Sequence, residues 1–182
     1  MRKYNFLLVM LVAILAISCS QSSSDTQVSN LGTKWHWDKG TIVIETPERP
    51  TGQTSVIGLK APKMEFVRVG FVGLGMRGPA AVERFTYIPG VEIVALCDYE
   101  KERAEECQKL LKKASMPEAT VYSGEKGYEE LCKRDDIDLV YIATDWLHHF
   151  PVAMCAMENG KHTAIEVPSA MSLKECWALI DM

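Results

Sequence analysis

The sequence has no excess of basic residues. Twenty Lys and Arg stand against 24 Asp and Glu, a formal net charge of −4. No positive field is left to gather nucleic acid. Beyond the N-terminus, no apolar run reaches the roughly 20 residues that a membrane-crossing helix needs. None of the six cysteines forms a C-x-x-C pair, and their wide spacing speaks against zinc or any other metal. No period of solenoid type repeats along the chain. What remains is an ordinary globular composition, 47% hydrophobic and 24% charged, over 182 residues. That length suits one good-sized domain with extensions.

The N-terminus stands apart. Arg2 and Lys3 precede an apolar stretch from Phe6 to Ile17, then Ala16-Ile17-Ser18-Cys19, then a serine-rich run. A positive start, a short apolar segment and small residues before a cut predict a signal peptide over 1–18. A cysteine at the cut resembles the acylated residue of a bacterial lipoprotein. The expectation is therefore an exported, periplasmic or cell-surface protein, anchored in the membrane through lipid on Cys19. Without Cys19 five cysteines remain. They read as small buried apolar residues, with a disulfide left open.

Residues 19–65 read as a tether and an extended arm packed on a domain surface. Residues 20–34 are polar and of low complexity. Lys34-Trp35-His36-Trp37 and Thr41-Ile42-Val43-Ile44 follow, and then several prolines. The tryptophans either anchor the arm or stack on a sugar.

From residue 66 to 182 the pattern alternates. Apolar, Val- and Ile-rich runs at 66–72, 91–96, 139–143 and 162–167 predict strands buried on both faces, with a short one near 120–122. Segments with helical spacing lie between them, at 80–87, 101–114, 128–134 and 151–158. The expected fold is α/β, a doubly wound parallel sheet. Ser172-Leu173-Lys174-Glu175 is a capping box opening another helix. The sequence stops at Met182 with no further strand, which predicts a domain truncated at its C-terminus.

The chemistry sits where strands end. Gly73-Leu74-Gly75-Met76-Arg77-Gly78 follows a predicted strand and opens a predicted helix. Gly73 permits a tight turn, Gly75 admits a pyrophosphate, and Gly78 lets helix and strand pack closely. Asp98, at the end of the second strand, is placed for the ribose hydroxyls of a dinucleotide. Its charge opposes a 2′-phosphate, and Tyr99-Glu100 brings no adjacent arginine, so NAD is expected over NADP. Two further loops lie at the same carboxyl edge: Thr144-Asp145-Trp146-Leu147-His148-His149, and Glu166-Val167-Pro168.

These motifs, with Gly160-Lys161-His162, resemble the glucose–fructose oxidoreductase and inositol dehydrogenase superfamily over residues 66–182. Many of its dehydrogenases carry Glu-Lys-Pro in the last motif, and the lysine assists hydride transfer. Val167 takes the lysine's place and exchanges no proton. Glu-Val-Pro, Thr-x-Trp-x-x-His and Gly-x-Gly-Met-Arg-Gly together resemble glycosyl hydrolase family 109, as does the arm through Lys34–Trp37 and Thr46–Pro50. The resemblance implies NAD contacts at Met76, Arg77, Asp98, Trp146, Leu147, His148, His149, Glu166 and Val167. It implies an α-N-acetylgalactosaminidase-like cycle on a small or glycan-terminal sugar. A hydride leaves sugar C3 for bound NAD⁺, the C1 bond breaks by elimination, water adds, and the hydride returns. Such a cycle needs no external oxidant, which suits an exported protein. The family's catalytic residues fall in segments that would follow Met182, so none is assigned. An NAD-dependent sugar oxidoreductase and a non-catalytic nucleotide-binding domain are the alternatives.

Overall fold

The computed structural model describes residues 26–28, 34–45, 51, 52, 58 and 60–182. The expected signal peptide over 1–18, Cys19, most of the expected tether and Thr46–Pro50 lie outside the described residues. The chain divides into two compact units, 1–47 and 48–182.

In the first unit, β1 (Gln27–Val28), β2 (Lys34–Asp38) and β3 (Thr41–Ile44) form an antiparallel sheet. The expected single arm is thus a hairpin with a third short strand. The cause is the two-residue turn Lys39-Gly40, whose φ values of 46° and 82° are both left-handed. A turn of that hand matches the twist of paired strands. Trp35 and Trp37 alternate onto one face of β2, and their rings meet edge-on at 6.3 Å.

The second unit is a five-stranded parallel sheet. Its strands are β4 (Val67–Val72), β5 (Val91–Asp98), β6 (Thr120–Ser123), β7 (Leu139–Ile142) and β8 (His162–Ile165), in the order β6-β5-β4-β7-β8. The connecting helices are α1 (Gly78–Phe85), α2 (Lys101–Lys113), α3 (Gly127–Cys132) and α4 (Trp146–Glu158), and α5 (Leu173–Asp181) follows β8. This is the expected doubly wound fold. The order reverses between β4 and β7, which opens a ligand-binding crevice at their carboxyl ends.

Two cores flank the sheet. Val69, Phe71 and Leu96 pack with Ala81 and Val82 of α1 and with Ala104, Cys107 and Leu111 of α2. Val72, Ala95, Val140 and Ile142 pack with Leu131 of α3 and with Val152, Ala153 and Ala156 of α4. α2 forms because Ala104, Cys107 and Leu111 recur on one helical face, while Glu102 and Lys112-Lys113 suit the two ends of its dipole. It ends in a Schellman turn: Met116 N donates to Leu111 O, Ser115 N donates to Lys112 O, and Ser115 adopts φ 58°. Just past it, the Gln108 side chain donates to Ala119 O and accepts from Ala119 N at 3.1 Å.

α4 begins five residues before the expected position. Asp145 caps it by accepting from Leu147 N at 2.9 Å, and Pro151 lies inside the helix. A proline reads as a helix start, whereas here the acidic cap upstream governs. Trp146 to His149 therefore form the first turn of α4 rather than a loop. The capping box at Ser172 and Glu175 is present, and α5 has no buried residue. Cys97, Cys107 and Cys132 are buried, as expected, but Cys155 is half-buried and Cys176 exposed. No disulfide links these five. Burial and the charge of Asp98 push the Cys97 thiol up to about 12, so it is inert at neutral pH.

Candidate cofactor site

The turn after β4 is tied to its neighbours at every step. Gly73 N donates to Cys97 O at 2.9 Å, and Leu74 N donates to Asp98 Oδ2 at 2.6 Å. Ala143 N donates to Val72 O at 2.8 Å. Gly73 has φ 91°, and a Cβ there would lie 2.5 Å from the Ala143 carbonyl carbon. A Cβ on Gly78 would overlap the Gly73 carbonyl oxygen. Gly75 differs, because its Cβ would meet only Arg103 Nη1, at 3.5 Å. Two glycines thus allow close backbone approach within the protein, while the middle one has only the Arg103 guanidinium beside it.

α1 opens at this turn with no side-chain cap and no acidic residue in its first turn. Its unpaired N–H groups and positive dipole end suit an anion. Met76 is 90% exposed and Arg77 is also exposed.

Asp98 is only 6% exposed. Besides holding Leu74 N, it accepts from Glu100 N at 3.0 Å through Oδ1 and so supports the start of α2. A carboxylate has about four acceptor positions, so capacity for a ribose hydroxyl remains. No arginine adjoins it in sequence, yet one reaches it in space. Arg103, one turn into α2, brings Nη1 to 3.6 Å from Asp98 Oδ1. Local sequence hid it because helical geometry, not adjacency, makes the approach.

The second loop follows β7. Trp146 and Leu147 are 59% and 74% exposed. His148 pairs through Nδ1 with Asp145 Oδ2 at 2.6 Å. Burial raises the Asp145 pKa, but the bonds from His148 and Leu147 N outweigh it and hold the carboxyl below the usual range. His149 is 1% exposed. Its Nδ1 lies 2.7 Å from Pro168 O and its Nε2 lies 3.0 Å from Thr144 O. The ring thus bridges the loops after β7 and β8. Both partners are acceptors, and a neutral imidazole has one N–H to offer them. With a carbonyl oxygen against each nitrogen, the ring faces the two loops rather than presenting a free nitrogen to a ligand.

In the third loop, Val167 is 83% exposed and joined to Pro168 by a cis peptide. Glu166 Oε1 accepts from the Tyr141 hydroxyl at 2.6 Å. Burial, and next the Glu166 bond, raise the phenol's pKa. Tyr141 is held in turn by Phe71 and Phe85, with ring centroids 5.2 and 5.3 Å away. Sequence reasoning passed over Tyr141. Its only signal was a hydroxyl-bearing aromatic in an otherwise aliphatic strand end.

The sheet therefore gathers the glycine turn, Asp98, Trp146–His149 and Glu166-Val167 at one edge. A groove of about 580 Å³, lined by residues including Tyr128, Pro151 and Met154, contains none of them. Among the described residues, no group of three or more His, Cys, Asp or Glu is placed to hold a metal. The uncapped helix, the open side of Gly75 and the buried Asp98 carboxylate together fit a dinucleotide, with its diphosphate at the turn.

Comparison with known proteins agrees. Residues 67–182 match the family described as an oxidoreductase family with an NAD-binding Rossmann fold. Glycosyl hydrolase family 109 proteins 4 and 5 of Phocaeicola vulgatus are 66% and 69% identical to the chain over its whole length. A family 109 protein of Bacteroides thetaiotaomicron is 62% identical over 77% of the chain. The chain spans about a third of these relatives, 35%, 35% and 30% of their lengths. Among solved structures, myo-inositol dehydrogenase from Lactobacillus casei, in complex with NAD(H) and myo-inositol, superposes with a TM-score of 0.56 at 28% identity. That match covers 64% of this chain and 32% of the dehydrogenase. A UDP-N-acetylglucosamine 3-dehydrogenase from Acidithiobacillus ferrooxidans gives 0.51 at 27% identity, covering 64% and 33%. The chain belongs to the oxidoreductase family with an NAD-binding Rossmann fold, and within that family it stands beside the glycosyl hydrolase family 109 proteins.

Proposed function

We propose that this chain is the NAD-binding portion of an exported glycosidase that acts on α-N-acetylgalactosaminides or related glycosides. The observation that carries the reading is the glycine turn locked to Asp98 through Leu74 N. It prepares a place for the diphosphate and ribose before any ligand arrives. When bound, NAD⁺ would supply a transient oxidation at sugar C3 that acidifies the C2 proton, so that this proton and the C1 leaving group depart by elimination, water adds to the unsaturated sugar, and the hydride is returned. The chain's own residues do the holding. The α1 N-terminus receives phosphate, Asp98 accepts from the ribose, Tyr141 fixes the Glu166 carboxylate, and His149 keeps the two nicotinamide-side loops together. Val167, exposed and without a proton, offers no acid or base to a substrate hydroxyl. This supports a cycle with no net oxidation over a simple dehydrogenase. The neighbour that bears 3-dehydrogenation of an N-acetylhexosamine in its name is in keeping with oxidation at C3.

Calorimetric titration of the 182-residue protein with NAD and with NADP tests the cofactor reading. Saturable NAD binding, tighter than NADP, is expected; no NAD binding, or tighter NADP binding, overturns it. Net NADH release from free sugar would favour the oxidoreductase alternative. The chain with added NAD should give no turnover of p-nitrophenyl α-N-acetylgalactosaminide. Turnover matching a full-length relative would place the whole chemistry in these residues.

The proposal extends to the membrane. Cys19, after the apolar segment ending in Ala16-Ile17-Ser18, is the acylated residue. Cys19→Ala should leave an unprocessed precursor without acyl label, and normal labelling would remove the anchor from the proposal.

A further inference from the structure

Arg103 is paired with the buried Asp98. Its Nη1 lies 3.6 Å from Asp98 Oδ1 and would be 3.5 Å from a Cβ on Gly75. The guanidinium thus hangs over the glycine turn, beside the carboxylate placed for the ribose. A guanidinium so placed is a ready ligand for a phosphate on that ribose, since its fork matches phosphate oxygens. Yet the fork is taken. Arg103 Nε lies 3.2 Å from Glu100 Oε2, and Nη2 donates to Glu100 Oε1 at 3.3 Å. Glu100 thereby occupies two of the three nitrogens, and the third faces Asp98. Two carboxylates around one guanidinium leave the cluster net negative.

We infer that Glu100 is a specificity-determining residue: by masking Arg103 it keeps the site closed to a 2′-phosphate. Asp98 is then one of two barriers to NADP. Asp98 repels the phosphate directly, and Glu100 withholds the guanidinium that stands beside it. The inference rests on the cofactor reading above and assigns a role to residues outside the glycine and acidic-residue pattern. Glu100 and Arg103 are both about half exposed, with side chains at 54% and 47%. Substitution there should leave the fold intact.

The test is calorimetric titration of the unmodified chain, Glu100→Ala, Glu100→Gln, and Glu100→Ala/Arg103→Ala with NAD and NADP at low salt, with circular dichroism as a check on folding. Glu100→Ala should tighten NADP binding by about ten-fold or more, the scale of one charge-assisted hydrogen bond. NAD affinity should change by less than about three-fold. Glu100→Gln removes the charge but keeps an acceptor, and should fall between the two. The double variant should lose the gain, because the freed guanidinium is what binds the phosphate. An unchanged NADP-to-NAD ratio in Glu100→Ala overturns the inference. So does a gain that survives in the double variant, which would mean only that negative charge had been removed. Failure of the unmodified chain to bind NAD is a separate result and overturns the cofactor reading together with the inference.

Discussion

The sheet is built differently on the two sides of β4. β4 and β5 each end in four consecutive buried residues, whereas β7 alternates and β8 has none. The loops follow suit. After β4 and β5, backbone groups are fixed by backbone or by Asp98: Gly73 N on Cys97 O, Leu74 N and Glu100 N on the carboxylate. After β7 and β8, long side chains stand in solvent, with Trp146, Leu147 and Val167 all more than half exposed. One half of the site is part of the core. The other is hung from it by a few side-chain bonds, chiefly His149 and Tyr141. Changes that break those backbone ties should therefore cost stability, and changes at the exposed side chains of the second side should cost binding while the fold survives.

The sharpest way to break that contrast is at the glycines. Gly78→Ala drives a Cβ into the Gly73 carbonyl oxygen. It should cost about 3 kcal/mol or more in denaturant unfolding. Gly75→Ala, in the same turn but meeting only the Arg103 side chain at 3.5 Å, should cost less than about 1 kcal/mol and still weaken NAD binding. Equal stability losses would show that the turn is not divided as described.

A smaller effect is expected where the halves are joined at their opposite edge. Arg68 Nε and Nη2 hold the Asp138 carboxylate at 3.0 and 2.7 Å, and Arg68 N donates to it at 2.8 Å. The side-chain bond from Arg68 outweighs burial and lowers the Asp138 pKa. A lowered carboxyl stabilises the fold fully above its unfolded pKa of about 3.9, and the contribution is lost as pH falls through the folded value. Asp138→Asn should cost about 1–2 kcal/mol at pH 7, and the gap to the unmodified protein should close in acid below about pH 4. A gap constant with pH would separate the loss from the charge.

Tyr141→Phe removes the hydrogen bond to Glu166 and keeps the aromatic packing. A stability loss near 1 kcal/mol is expected, with a measurable weakening of NAD binding if Glu166 needs that orientation. The least effect should come from His148→Ala. Its pair with Asp145 is exposed on both sides, 59% and 63%, and is worth under about 0.5 kcal/mol. A larger loss there would mean that the exposed half is more tightly built than it looks.

Much of the first half was legible in the sequence. Strands buried on both faces write continuous Val and Ile runs, and the glycine spacing is a local backbone requirement, readable one residue at a time. The second half was read less well. The start of α4 was obscured by Pro151, a local signal overridden by the Asp145 cap. Outside both halves, in the N-terminal unit, the hairpin at Lys39-Gly40 was missed because a lysine at left-handed φ leaves no compositional mark. His149 was seen as a candidate ligand, but its engagement with Thr144 O and Pro168 O depends on two loops meeting across β7 and β8. Arg103 and Tyr141 act through partners five and 25 positions away. No pattern of period 2 or 3.6 reports such pairings, because one is set by how α2 leaves β5 and the other by strand order.

The Gln108 amide bonded to both backbone groups of Ala119 has a bearing on how the molecule behaves in company. β6 is an outer strand of only four residues. Bare outer strands invite chains to add themselves by edge-to-edge association. Gln108 serves as a one-residue surrogate strand, donating to and accepting from the peptide groups just ahead of β6. It satisfies the peptide groups that lead into that outer strand without lengthening the sheet. Gln108→Ala would uncover those groups, and its cost should appear in the concentration dependence of aggregation more than in the unfolding midpoint.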